Sequence, residues 1–376
     1  MRRHDVALAR ELLNLGYPAA VLVHGPVEKV MGIDPSVKIL SWPSLRPTRF
    51  ADTLFFDRLL RRLKPCCLIS NFGARAIMMT IGGLRRVPVR IHWHHTLSSQ
   101  IETDVPYSPL RLRLLRLRAR IPFGLMTHAI ANSDAARQDL TDSFGVPAQK
   151  CRVFWNSLED PWSKAELAPP ANAGFPGSRH FVCVGRFAPS KGQDVLVKAM
   201  ARVVLRRPNA TIEFIGEGTT KVSCEAAARG LGLEGCCRFT GALPHEDVLR
   251  RMARAWAVVV PSRQEAFGLV NIESMAVGVP VIGSDTGGIA EIVRAGVDGF
   301  LFPAGDYDAL AQRMIDLIED EPLRAQMGAN ARSRFLECFE STRAVRTQAN
   351  WIIQQVRNAT NGYSRLRADL PIAERP

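Results

Sequence analysis

The chain has 376 residues, 47% of them hydrophobic and 23% charged, which is enough for two ordinary domains with substantial cores. No apolar run approaches a membrane span, and the opening MRRHDVALARELL carries Asp5, Arg10 and Glu11 where a signal peptide needs an apolar core. The eight cysteines include two adjacent pairs and no C-x-x-C, a spacing that fits neither a zinc site nor a disulfide framework, so we read a soluble cytoplasmic protein. The net charge of +13 is lopsided: residues 1–125 hold 20 Lys/Arg against 8 Asp/Glu, and the rest 29 against 28. A one-sided basic field suits a polyanion, whether an anionic membrane surface, a lipid phosphate or nucleic acid, and the chain has no recognised nucleic-acid motif.

In chain order, DVALARELLNLG reads as a helix capped at Gly16, and strands are expected at 19–23, 67–70, 89–93, 126–133 and 152–157. Residues 158–179 contain four prolines and two glycines with little periodicity, and read as a linker. The strand–helix rhythm restarts at 180–185 and continues with strands at 210–216, 237–241, 257–262 and 279–285. STRAVRTQANWIIQQVRNA is a lone amphipathic helix, and 361–376 a tail. The pattern predicts an α/β protein: a first doubly wound domain over 1–157, a linker over 158–179, a second domain over 180–340 and a terminal helix over 341–360.

Ligands of such domains sit beyond the carboxyl ends of the strands, so the loops there carry the chemistry. VGRFAPSKGQDV places Arg186 and Lys191 between a strand exit and a helix start, which makes either an anion site or two solvated cations. In RQEAFGLVNIESMAVG a helix begins near Phe267–Gly268, with Glu265 before it and Glu273 within it. Helix-start N–H groups between two carboxylates would suit a diphosphate flanked by two hydroxyl-bearing groups; otherwise Glu265 is a first-turn acid and Glu273 a solvated one. GSDTGGIAEIV repeats the strand–glycine–helix pattern, and HWHHT follows the third strand with His92, His94 and His95, each either packed or available to a substrate. Asp306-Tyr307-Asp308 mimics a metal-binding D-x-D, but its setting after Pro-Ala-Gly makes Asp306 a helix N-cap, and no metal is inferred.

Taken together, RHDVALARELLNLGY, ANSDAARQDLTDSFGV, VGRFAPSKGQDVLVKA, FIGEG, FTGALPHEDV, EAFGLVNIESMAVGVPVIGSDTGGIAEIV and GVDGFLFPAGDYDALA resemble glycosyltransferase family 4, the retaining nucleotide-sugar transferases of the GT-B fold. The resemblance implies two Rossmann-like domains facing a cleft, the first on the acceptor side and the second on the donor side. It implies that Arg186 and Lys191 bind the donor diphosphate and that Glu265 contacts the transferred sugar beside the backbone of Phe267, Gly268 and Leu269. Glu273 would hold the ribose, and His94, with His95 close behind, would stand near the reacting centre. It further implies front-face attack with the leaving phosphate as base, and no metal or other cofactor. Family members open with a strand and a Gly-Gly loop that this sequence lacks before Arg3-His4; the expectation is that an upstream-extended form would be more stable and more active, which paired thermal melts test.

The expected function is hexosyl transfer from a UDP- or GDP-sugar to a glycan or lipid-linked glycan in polysaccharide biosynthesis. The alternatives are a catalytically impaired nucleotide-sugar binder and, less well supported by the Arg186/Lys191/Glu265/Glu273 set, a sugar-nucleotide epimerase. SPLRLRLLRLRARIP, if helical, brings Arg113, Arg116 and Arg120 to one side with leucines flanking; it is either a peripheral contact to the cytoplasmic membrane face or a soluble basic helix.

Overall fold

The computed structural model describes residues 2–25, 35–45, 49–105, 107–163 and 179–360; most of the expected linker and all of the tail lie outside them. Contacts divide the chain into two compact units. One comprises Met1–Trp93, Ile121–Ala129 and Val345–Pro376; the other comprises His94–Arg120 and Ile130–Ala344.

The first part of the chain runs α1 (Arg2–Asn14), β1 (Ala20–Val23), β2 (Lys38–Ser41), α2 (Phe50–Leu63), β3 (Cys67–Asn71), α3 (Arg75–Leu84), β4 (Val89–His94), α4 (Ser98–Asp104), α5 (Pro109–Gly124), β5 (His128–Ala131), α6 (Asp134–Phe144) and β6 (Cys151–Val153). Strands β1 and β2 pair in parallel as a sheet of their own, and a second sheet has the order β3-β4-β5-β6. β3 and β4 are parallel with Ile69 beside Ile91 and Ser70 beside His92. The short β2, KILS, has no clean alternation and is not among the expected strands.

Helix boundaries follow local chemistry. Ser133 Oγ accepts from Ala136 N at 2.9 Å at the start of α6, and Gly145 closes it in the left-handed conformation. In the first unit the terminal helix α14 (Ser341–Thr360) buries Ile352, Ile353 and Val356 and sets Trp351 edge-on to His128. Arg357 Nε donates to Tyr17 Oη at 3.1 Å.

The second part continues with β7 (Arg179–Val184), α7 (Gln193–Arg206), β8 (Ala210–Ile215), α8 (Lys221–Gly230), β9 (Cys237–Gly241), α9 (His245–Ala253), β10 (Ala257–Val260), α10 (Leu269–Ala276), β11 (Val281–Ser284), α11 (Gly287–Ile292), β12 (Gly299–Phe302), α12 (Tyr307–Glu319) and α13 (Glu321–Arg334). Its six strands are all parallel in the order β12-β11-β10-β7-β8-β9. Neighbouring residues of one strand face opposite cores: Phe181 and Cys183 join α7, α8 and α12, whereas Val182 joins α9, α10, α11 and α13. Side chains such as Phe181 and Ile282 are fully buried, each worth about 1.5–3 kcal/mol of transfer free energy. Asp306 caps α12, accepting from Ala309 N at 2.9 Å, while Asp308 pairs with Arg202. Among the described residues no cluster of three His, Cys, Asp or Glu is placed to hold a metal ion.

Candidate functional site

Strand order in the six-stranded sheet reverses between β7 and β10. To one side of β7 the chain proceeds to β8 and β9; to the other side of β10 it proceeds to β11 and β12. Crossover helices on opposite faces diverge at such a point and leave a crevice at the strands' carboxyl ends. Arg186 and Lys191 lie on the loop leaving β7, and Glu265, Phe267 and Gly268 on the loop leaving β10.

These two loops are locked together. Gly192 has φ +67°, and a Cβ there would lie 2.0 Å from the Pro261 carbonyl oxygen, so only glycine lets the backbones approach so closely. Arg263 fastens the other side: its backbone N donates to Ser190 O at 2.8 Å, and its guanidinium donates to Pro189 O and, bidentately, to Asp194 at 2.8 and 2.6 Å. Nothing local in the sequence points to Arg263, because its partners lie about 70 residues earlier.

Lys191 Nζ donates to Glu265 Oε2 at 2.6 Å, and Ser262 Oγ donates to the same oxygen at 3.1 Å. Residues expected to serve phosphate and sugar thus form one ion pair, and Glu265 is buried ahead of the helix rather than a first-turn acid of it. The main-chain oxygen of Glu265 accepts from Gly288 N at 3.0 Å, which brings the second glycine turn, 283–293, to the same place. Phe267 is 2% exposed and belongs to the core, so only its backbone faces the site. Gly268 takes φ +87° as the N-cap of α10; a Cβ there would meet Asn271 Nδ2 at 2.3 Å. Helix α10 starts at Leu269; Asn271 N donates to Gly268 O at 3.0 Å, and the N–H groups ahead of it at a helix start suit an anion.

Glu273, one turn into α10, is largely buried, and burial pushes its carboxyl up to about 7. His245 Nδ1 lies 3.8 Å from Glu273 Oε1.

The three histidines separate by environment. His92 is 2% exposed and held by Ser70, with Nδ1 3.0 Å from Ser70 Oγ, so it is packed. His94 is also buried, with Nε2 3.1 Å from Asp139 Oδ2; Ser98 bonds the same oxygen through N and Oγ, and Ser143 Oγ bonds Oδ1. His95 is half-buried. The Leu97 side chain comes within 3.6 Å of where a Gly287 Cβ would stand, so the segment after His94 runs beside the glycine turn and Glu265.

A family model described as "Glycosyltransferase Family 4" matches residues 1–159, and one described as "Glycosyl transferases group 1" matches residues 168–334. A GDP-mannose-dependent monoacylated α-(1-6)-phosphatidylinositol monomannoside mannosyltransferase of Corynebacterium glutamicum is 34% identical over 158 residues, covering 40% of this chain and 41% of the relative. A glycogen synthase of Mycobacterium tuberculosis is 29% identical over 246 residues, covering 65% and 57%. The chain therefore spans between about two fifths and three fifths of the length of these curated relatives. Among solved structures, sucrose-phosphate synthase from Thermosynechococcus elongatus superposes with a TM-score of 0.76 at 22% identity, covering 94% of this chain and 92% of that one. Anabaena HepE in complex with UDP superposes with a TM-score of 0.71 at 20% identity, covering 93% and 96%. With each half matched by its own family model and the fold shared over nearly its whole length, the chain belongs to the family 4 type of glycosyltransferases, with the GT-B fold of two Rossmann-like domains.

Proposed function

We propose that this protein is a retaining hexosyltransferase that uses a UDP- or GDP-sugar and a glycan or lipid-linked glycan acceptor. The observation that carries the proposal is the Lys191–Glu265 ion pair just ahead of the start of α10 at the point where strand order reverses, with Arg186 on the same loop as Lys191 and Glu273 one turn into the helix. Arg186, Lys191 and the helix start supply the positive field for a diphosphate and for charge growing on it as the sugar leaves. No resident metal is required for that task in this reading. Glu265, directed by Lys191 and Ser262, accepts from sugar hydroxyls beside the backbone of Phe267, Gly268 and Leu269. Glu273 accepts from the ribose hydroxyls. His94, fixed by Asp139, positions the acceptor side of the reacting centre. The acceptor attacks from the face the nucleotide leaves, and a phosphate oxygen takes its proton, so configuration is retained without a carboxylate nucleophile. In this reading residues 1–157 form the acceptor side, 180–340 the donor side, and 341–360 return to the first domain.

Names among the relatives support both nucleotides: one relative is called GDP-mannose-dependent, and HepE was crystallised with UDP and with UDP-glucose. A panel of UDP- and GDP-sugars with release of free nucleotide as the readout tests the proposal. Turnover of one donor class is expected; nucleotide binding without any transfer or hydrolysis would leave a sugar-nucleotide binder instead.

The same reading places the protein at the cytoplasmic membrane face. Among the described residues no helix is long and apolar enough to cross a membrane. Helix α5 leaves Leu110, Leu114, Leu117 and Ile121 each more than half exposed among its five arginines, which suits insertion at an anionic lipid surface. Co-sedimentation with anionic but not neutral vesicles is expected; equal low recovery with both removes the membrane assignment.

A further inference from the structure

Helix α4 brings a carboxylate into the cation set of the donor site. Asp104 Oδ2 accepts from Arg186 Nη2 at 2.5 Å, and Oδ1 accepts from the backbone N of Ser190 at 3.0 Å. One residue earlier, Thr103 Oγ1 donates to Gln264 Oε1 at 3.1 Å. The last turn of α4 therefore touches both loops that leave the switch point. The Asp104 side chain is 7% exposed, whereas that of Arg186 is 61% exposed. Burial alone would raise this carboxyl, but the hydrogen bonds from Ser190 and the Arg186 charge outweigh it and hold the group below the ordinary carboxylate range. Asp104 is thus an anion at neutral pH.

An arginine fork beside a backbone N–H in a tight turn is a donor set that phosphate oxygens use, and here a carboxylate offers its two oxygens to it. A nucleoside diphosphate arriving at Arg186 meets a fixed like charge a few ångströms away, so both cannot be held there without loss. We propose that Asp104 is an internal counter-anion to Arg186 that an arriving diphosphate displaces, which makes α4 a gate on donor entry. This rests on the donor-site reading given above.

The test is calorimetric titration of the full chain with UDP and with GDP, using wild type, Asp104→Asn, Arg186→Ala and the double variant. Asp104→Asn keeps the shape and removes the charge; it is expected to tighten nucleotide binding about tenfold, the effect of about one charge-assisted contact. No tightening is expected in the Arg186→Ala background, because the competition runs through that arginine. Loss of a purely structural bond would weaken binding instead. Hydrogen exchange on the wild-type protein gives an independent reading: amides of residues 100–105 are expected to lose protection when nucleotide is added. Unchanged or weaker binding by folded Asp104→Asn, or unchanged protection of α4 in nucleotide-bound wild type, overturns the gate and leaves the donor site standing. Absence of binding for both nucleotides in every variant overturns the donor-site reading and the gate with it.

Discussion

Glu273 offers a quantitative test, because its burial has a sign and a size. Its carboxyl lies at about 7 in the folded protein against 4.5 for the unperturbed group. Between those values the folded state holds a proton that the unfolded chain has released. The stability that Glu273 contributes is thus present below about pH 4.5, falls as pH rises through the window and is gone above about 7. Two and a half pH units correspond to about 3 kcal/mol, an upper figure for a side chain that retains 13% exposure. Glu273→Gln keeps the shape and abolishes the titration. Urea melts of the ligand-free protein at pH 5 and pH 8 should show the variant gaining on wild type by up to about 3 kcal/mol at the higher pH. The same melts with His245→Gln separate the titration of the neighbouring imidazole. Nucleotide affinity should move the other way: hydroxyl donors favour the ionised carboxylate, so binding releases a proton near pH 6.5, and Glu273→Gln binds more weakly. An equal stability difference between wild type and variant at the two pH values refutes the reasoning.

Lys191→Met and Glu265→Gln each leave one partner of a largely buried ion pair without its counter-charge; each is expected to cost roughly 1–3 kcal/mol and about a hundredfold in turnover, with the double variant losing less stability than the sum. A double-mutant cycle by melting and by donor turnover measures both. Gly192→Ala puts a Cβ onto the Pro261 carbonyl and strains a left-handed φ, so a loss of more than about 2 kcal/mol is expected in denaturant melts. His94→Ala should lower turnover by about a hundredfold or more with nucleotide affinity retained, and Asp139→Asn by less; turnover by His94→Ala within twofold of wild type removes its proposed role.

Much of the donor half was legible from local pattern. The alternation of buried strands and amphipathic helices, the cap at Asp306 and the strand-exit positions of Arg186, Lys191 and Glu265 depend on residues a few places apart, and the structure puts them where those rules expect. The strands missed are β2, KILS, and β12, GFLF; Ile39 is the single β-branched residue in the two, so the propensity signal that marks the other strands is weak there.

What the chain could not declare locally are the partnerships made across distance. Arg263 with Asp194, His94 with Asp139 and Arg186 with Asp104 join positions roughly 45 to 80 residues apart. Residue type alone left the three histidines of HWHHT alike, and the family resemblance favoured His94 with His95 behind it; hydrogen bonds to Ser70 and to Asp139 distinguish His92 and His94 in the structure. Local spacing determines which residues leave a strand together, because hydrogen-bonding period and capping are short-range. Which cation meets which carboxylate is decided only when a common core fixes strand order, since the pairing energy depends on separation and burial rather than on sequence position.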